Sequence, residues 1–355
     1  MDDERGYRRP FSAGPRRHSH PPMRDVVRQK RWASRLRAVL SFGPALLLAF
    51  LLTPEMAAAW GPATHIALGE AVLGALHLLP PAVRATLHRY PLQFLYGSVA
   101  ADISFAKKYA PVGRHCHDWR VGREILEEAD TQPLRAVAYG YLAHLAADTV
   151  AHNIYVPRRL LLTSSSQAVG HTYWEYRMDV GVGEPYLGKA REVVTGYDHS
   201  EADEHFDRVL SRTLFSFRTN RRIFRGWIRV QDHESWKRTF DAILRRSRFD
   251  LPADLRTRYM NQSLEYVMDY LAREEESHPW SMDPIGEMNL RLAKKLRRRG
   301  LADGGLDDPG VLEKMADDFF PFPDEADRWL PRLKERPGGG IILPGRIQAA
   351  DHPKV

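Results

Sequence analysis

Three side chains able to hold a metal recur at four-residue spacing in the stretch His144-Leu-Ala-Ala-Asp148-Thr-Val-Ala-His152. On an α-helix each step of four residues drifts by only about 40°, so all three side chains face one way. Their neighbours Leu142, Ala143, Leu145, Ala146, Ala147, Val150 and Ala151 are apolar, which draws this face into an interior. A buried polar group left without a partner costs roughly 2–7 kcal/mol, and an ionised carboxylate more. A bound cation supplies partners for one carboxylate and two imidazoles together. Taken alone, the helix is equally consistent with a set of hydrogen-bonded core residues.

A second segment changes that balance. His171-Thr-Tyr-Trp-Glu175 repeats the four-residue spacing with one nitrogen and one oxygen donor, and such donors on neighbouring helices are how helical bundles build multi-metal sites. Three further segments offer donors. Trp60-Gly-Pro-Ala-Thr-His65 carries a histidine and, if the chain is cut before Trp60, an α-amine and a carbonyl that chelate through a five-membered ring. Asp102 ends Gly97-Ser-Val-Ala-Ala-Asp102. His115-Cys116-His117-Asp118 offers two competing imidazoles. Cys116, the single cysteine, is an ordinary free thiol or a spare ligand, and it excludes an intramolecular disulfide.

The ordered set of Trp-Gly-x-x-x-His, Asp, His-x-x-Asp, His-x-x-x-Asp with a following His, and His-x-x-x-Glu resembles the zinc-dependent phospholipase C family and its relatives, the S1/P1-type nucleases. It spans about residues 60–180. The resemblance implies an all-α fold, a multi-helix bundle of the phospholipase C and P1 nuclease type, holding three zinc ions. Carried over residue by residue, it puts Asp102, His115, His144 and Asp148 on one metal, and His152, His171 and Glu175 on the second. The third takes the Trp60 amine and carbonyl, His65 and a bridging Asp148. His115 is preferred over His117 because Asp118 follows it by three residues, as in the family pattern. One departure stands out: the last histidine of the long helix follows Asp148 by four residues rather than six, and a regular helix is expected to deliver His152 to the same face.

Clustered zinc ions suit hydrolysis of a phosphodiester, with Asp148 bridging and Asp102 orienting or deprotonating the attacking water. The leading expectation is a phospholipase C that releases diacylglycerol and a phosphorylated head group. The alternatives are a single-strand nuclease or 3′-nucleotidase, and a non-catalytic exported protein with structural metals.

The elements that must position these residues read as helices throughout. Apolar residues recur at three- and four-residue intervals, giving expected helices at 63–77, 81–89, 118–129, 133–155, 167–180, 201–218, 233–247, 254–274, 284–299 and 309–319. Pro80-Pro81, Pro91, Pro111, Pro157, Pro252, Pro279 and Gly304-Gly305 punctuate them. The metal motifs occupy 60–180 of a domain spanning 60–336, residues 190–336 form a helical extension, and 337–355 read as a flexible tail.

Residues 1–59 read as a signal peptide with a long basic n-region. Basic residues precede the apolar run Ala45–Leu52, and Ala57-Ala58-Ala59 supplies small residues for cleavage. The apolar run is short for a bilayer span of about 20 residues, so export to the periplasm or medium is expected, with an uncleaved anchor as the alternative and Met23 as an alternative start. The formal net charge is +7, yet residues 1–59 hold eleven Lys/Arg against five Asp/Glu, and the remainder is nearly neutral at +1. That excludes a nucleic-acid footprint. The expected partners are a phospholipid or other phosphodiester substrate and a transient membrane surface, through basic runs such as Arg221-Arg222 and Lys294-Lys295-Leu296-Arg297-Arg298-Arg299. No stable protein partner is inferred.

Overall fold

The structure, a computed structural model, describes residues 60–104, 114–163, 167–210, 216–231, 249–302, 309–323 and 328–334, with isolated positions between 238 and 247. The expected signal peptide, the helix at 233–247 for the most part and the tail at 337–355 lie outside the described residues. Fourteen α-helices and no strand occur among the described residues. The all-α expectation holds. No described helix is long and apolar enough to cross a membrane.

The axis of the fold is the helix α5, Gln132–Val150. Thr131 accepts at its N-terminus from the Leu134 N–H, and Pro133 fills its first turn, where no N–H is required. All but three of its 19 residues are buried, which places it as a central helix covered on every side. Around it stand α1 (Pro62–Gly74), α2 (Pro81–Arg89), α3 (Pro91–Ala100) and α4 (Trp119–Glu127). Each of the first three begins on a proline at its first position.

Helix α3 lies closest to α5. At the crossing, Gly97 faces the Val137 carbonyl and Gly140 faces the Phe94 carbonyl and the Ser98 nitrogen, so near that a Cβ on either glycine would overlap backbone. Small residues let the two backbones touch, and that contact aligns Ser98 with His144.

After Val150 the chain widens into a π turn, Ala151–Tyr155, before continuing as α6, Val156–Thr163. Pro157 explains the widening. It cannot donate to the Asn153 carbonyl four residues back, and its ring clashes there in a regular helix; instead the Val156 N–H bonds to Ala151 O, five residues back. His152 therefore sits in a π turn, not in the regular helix expected over 133–155.

The remaining helices are α7 (Gln167–Val182), α8 (Glu184–Thr195), α9 (Ser200–Val209), α10 (Phe217–Gln231), α11 (Ala253–Arg273), α12 (Glu287–Ala302), α13 (Pro309–Phe319) and α14 (Leu330–Lys334). Helices α3, α6, α8, α10 and α14 were not foreseen, and the single helix expected over 201–218 is broken after Val209. The extension is built into the body. Helix α11 packs along α5 and α12 along α6, while Arg158 of α6 donates to the carbonyls of Ala316 and Phe320. The Glu265 carboxylate accepts the N–H groups of Arg328, Trp329 and Leu330, fixing the entry to α14.

Candidate metal centre

Five side chains from four segments converge beside α5. His144 and Asp148 come from α5 itself, His65 from α1, Asp102 from the 3-10 turn Ala101–Ile103 after α3, and His117 from the loop before α4. Around the Asp148 carboxylate, Nε2 of His65 lies at 3.4 Å, Nε2 of His117 at 3.3 Å and Nε2 of His144 at 3.2 Å. The Asp102 carboxylate lies 3.3 Å from His117 and 3.9 Å from His144. His65 stacks on His144 with ring centroids 3.8 Å apart. All five residues are buried.

Local structure aims these groups. Asp179 of α7 accepts from the Ala63 and Thr64 N–H groups and the Thr64 hydroxyl, so a carboxylate caps α1 one residue before His65. Trp60 is fully buried, donates its indole N–H to Ala147 O and stacks on Tyr155, which places the start of the described chain beside Asp148. His144 donates from Nδ1 to Ser98 O at 2.9 Å. The carbonyl can only accept, so the proton sits on Nδ1 and Nε2 faces the cluster with its lone pair.

In the 115–117 loop the structure separates the two histidines. His117 carries its Nε2 to Asp102, His144 and Asp148, whereas His115 is half-buried and its Nδ1 accepts the His117 backbone N–H at 3.1 Å. His117, expected as a bystander, thus faces the cluster, while His115, expected as a donor, groups with Cys116 and His117, one donor atom of each lying within 4.8 Å of the others. Tyr141 anchors this loop by donating to the Cys116 carbonyl. Cys116 is buried, with Sγ 3.3 Å from His117 Nδ1.

A second, looser group stands alongside. His152 and His171 meet edge to face with ring centroids 5.3 Å apart, and Glu175 is buried one turn beyond His171 on α7. His152 donates from Nδ1 to Pro284 O at 2.5 Å, again leaving Nε2 for an acceptor role.

The electrostatics match a cation's requirements. Burial alone raises the Asp148 carboxyl, but His144, His117 and His65 outweigh it and hold the group well below the usual carboxylate range. Burial pushes His65 and His152 below the usual imidazole range, which keeps them neutral near pH 7. Both Asp148 oxygens and His65 Nε2 are buried without a hydrogen bond of normal geometry, despite neighbours at 3.2–3.4 Å. The buried Asp148 carboxylate is a negative charge that a divalent ion balances, and nitrogen and oxygen donors of this kind suit zinc. His65, His144 and Asp148, and Asp102, His117 and His144, each bring one donor atom within 4.8 Å of the others.

Sequence reasoning missed three supporting elements. Asp179 was legible, since it continues the spacing His171, Glu175, Asp179 along α7. The Ser98 and Pro284 carbonyls were not, because a backbone acceptor leaves no trace in residue type.

No curated protein and no solved structure matches the chain. The family model described as zinc dependent phospholipase C matches residues 64–221, a span that includes every histidine and carboxylate named above as a donor. Through that segment, somewhat under half of its length, the chain is similar to the zinc-dependent phospholipase C family, and the match supports a zinc-dependent phospholipase C-like hydrolase.

Proposed function

We propose that the protein hydrolyses phospholipids to diacylglycerol and a phosphorylated head group, using three zinc ions. The observation that carries this reading is the convergence of His65, Asp102, His117, His144 and Asp148 on one buried point inside the family-matched segment. Asp102, His117, His144 and Asp148 would hold one ion, and His152, His171 and Glu175 the second. The third would take His65, bridging Asp148 and the amine and carbonyl of Trp60, the last two becoming available when export is followed by cleavage after Ala59.

Zinc supplies such a site with water acidified toward a pKa of about 7 and with positive charge against phosphoryl oxygens. The protein's own residues do the rest. Asp148 lies between the His65 side of the cluster and the His117–His144 side and can offer one oxygen to each. Asp102 approaches His117 through Oδ1 and would orient the attacking water. Ser98 and Pro284 fix the imidazoles of His144 and His152, so the donors are set before substrate arrives.

Contact with a bilayer is supported by α10. This helix contains five arginines and no acidic residue, exposes Ile223, Arg222 and Arg229, and packs by its other face against the turn that carries Asp102.

The test is turnover of phosphatidylcholine, a generic phosphodiester and single-stranded DNA, each with and without a chelator. Chelator-sensitive release of diacylglycerol is the expected result. Cleavage of DNA with phosphatidylcholine untouched would overturn the substrate.

A further inference from the structure

We infer that Asp283–Asn289, beyond the family-matched segment, is a positioning clamp for the metal site and acts through His152; this rests on the reading of His152 as a zinc ligand. Its origin lies in the π turn. Pro157 deprives the Asn153 carbonyl of its ordinary helical partner, and Asn289 takes that place, with Nδ2 at 3.4 Å from Asn153 O and 3.0 Å from Asn153 Oδ1. Asn153 in turn donates to Asp283 O at 2.8 Å. The loop is thereby fastened on both sides of His152, whose Nδ1 donates to Pro284 O at 2.5 Å.

The fit is steric as well as polar. Gly286 has φ +60°, a conformation that side chains disfavour, and a Cβ there would overlap the carbonyl and Cβ of His152. Asp283 stabilises the loop from within: its carboxylate accepts the N–H groups of Ile285 and Glu287 and starts α12. Trp119, two residues after His117, donates to Met282 O at 2.9 Å, so the same loop is tied to the segment that delivers the other site's imidazole. A loop doing only structural work could meet the π turn anywhere. This one grips the ring nitrogen that sets the tautomer of His152.

The test compares wild type, Gly286→Ala, Asn289→Ala and His152→Ala, with Gly226→Ala as a control at a position open to solvent. Zinc content and affinity are measured by competition with a chromophoric chelator, and the visible spectrum is recorded after replacement of zinc by cobalt(II). Gly286→Ala is expected to weaken one zinc by about 10–100-fold and to change the cobalt spectrum, with helical circular dichroism retained. Asn289→Ala, a milder lesion, should shift both in the same direction. If His152→Ala loses one zinc while both loop variants keep wild-type affinity and spectrum, the clamp is overturned and the ligand reading stands. If His152→Ala keeps its full zinc content, the ligand reading itself fails and the clamp falls with it.

Discussion

The indole N–H of Trp60 donates a 3.0 Å hydrogen bond to the carbonyl of Ala147, the residue preceding Asp148. With its ring stacked on Tyr155 at 4.7 Å, this residue is fixed against the helix that carries His144 and Asp148 and against the π turn that follows it. Its main chain is thereby held near the cluster, and an amine there is a far better zinc ligand than an amide nitrogen. Protein carrying one extra alanine before Trp60 is expected to bind one zinc fewer and to lose about 100-fold or more in phosphodiesterase rate. N-terminal sequencing of exported protein, with zinc analysis of both forms, checks this. Equal zinc and equal rate in the extended form would remove Trp60 from the ligand set.

His117→Ala is expected to lower activity by about 100-fold or more and to reduce zinc content, because its Nε2 lies within 3.3 Å of both Asp102 and Asp148. His115→Ala should cost only a few-fold. Its Nδ1 accepts the His117 N–H, a hydrogen bond that shapes the loop and is worth about 1 kcal/mol. Steady-state rates and metal analysis on the two variants decide the point, and a dead His115 variant beside an active His117 variant would restore the family spacing as the better guide.

What could be read from the sequence was what a helix imposes locally. His144 and Asp148 are four apart on a regular helix, so their shared face followed from geometry alone. His152 was placed by the same rule, and the rule gave way at Pro157, whose missing N–H opens a π turn around it. The choice between His115 and His117 was beyond local reasoning. It depends on Tyr141 pulling the Cys116 carbonyl toward α5, a contact between residues 25 apart. The grip of Pro284 on His152 spans 132 residues and uses only backbone oxygen. Nothing in residue type records it.

Asp179 gives the stability a pH dependence of identifiable sign. Burial raises its carboxyl from the ordinary 3.8 to about 6, against the three hydrogen bonds from Thr64 and Ala63 that favour ionisation. The folded state therefore binds more protons than the unfolded state between about pH 4 and 6, and stability falls as pH rises through that window, by about 3 kcal/mol in all. In Asp179→Asn this slope should vanish. Buried His199, pushed down to about 4, slopes the opposite way but is common to both proteins. The difference between their urea midpoints from pH 4 to 7 isolates Asp179, and a constant difference would show that its carboxyl titrates normally.

Arg222 and Arg229 lie exposed on α10 with Ile223. Each basic residue at an anionic bilayer contributes about 1 kcal/mol, so removing both should weaken binding to phosphatidylcholine vesicles containing an anionic lipid by about 30-fold. Reversal to glutamate at both positions should do at least that, with turnover of a short soluble phosphodiester unchanged. Cosedimentation at low and high salt measures it. Salt-independent binding equal to wild type would take α10 out of the membrane contact.

Gly140 links the packing of the bundle to the chemistry of the site. A Cβ there would overlap the Phe94 carbonyl and the Ser98 nitrogen, which are backbone atoms unable to turn aside, so α3 must move away from α5 as a body. Overpacking of this kind costs about 3 kcal/mol, at the upper end of its usual range. The displacement also withdraws Ser98 O from His144 Nδ1, now 2.9 Å away, and frees the imidazole to rotate or change tautomer. Gly140→Ala is therefore expected to lower both the thermal midpoint and the affinity for zinc. The same substitution at Gly188, in the middle of α8, meets only the far end of Arg191 at 3.8 Å. There the gain in helix propensity should stabilise by up to about 1 kcal/mol and leave zinc binding unaltered. Calorimetry and metal titration on the pair separate the two consequences. Gly140→Ala with reduced stability and unchanged zinc affinity would show that His144 keeps its orientation without the Ser98 carbonyl.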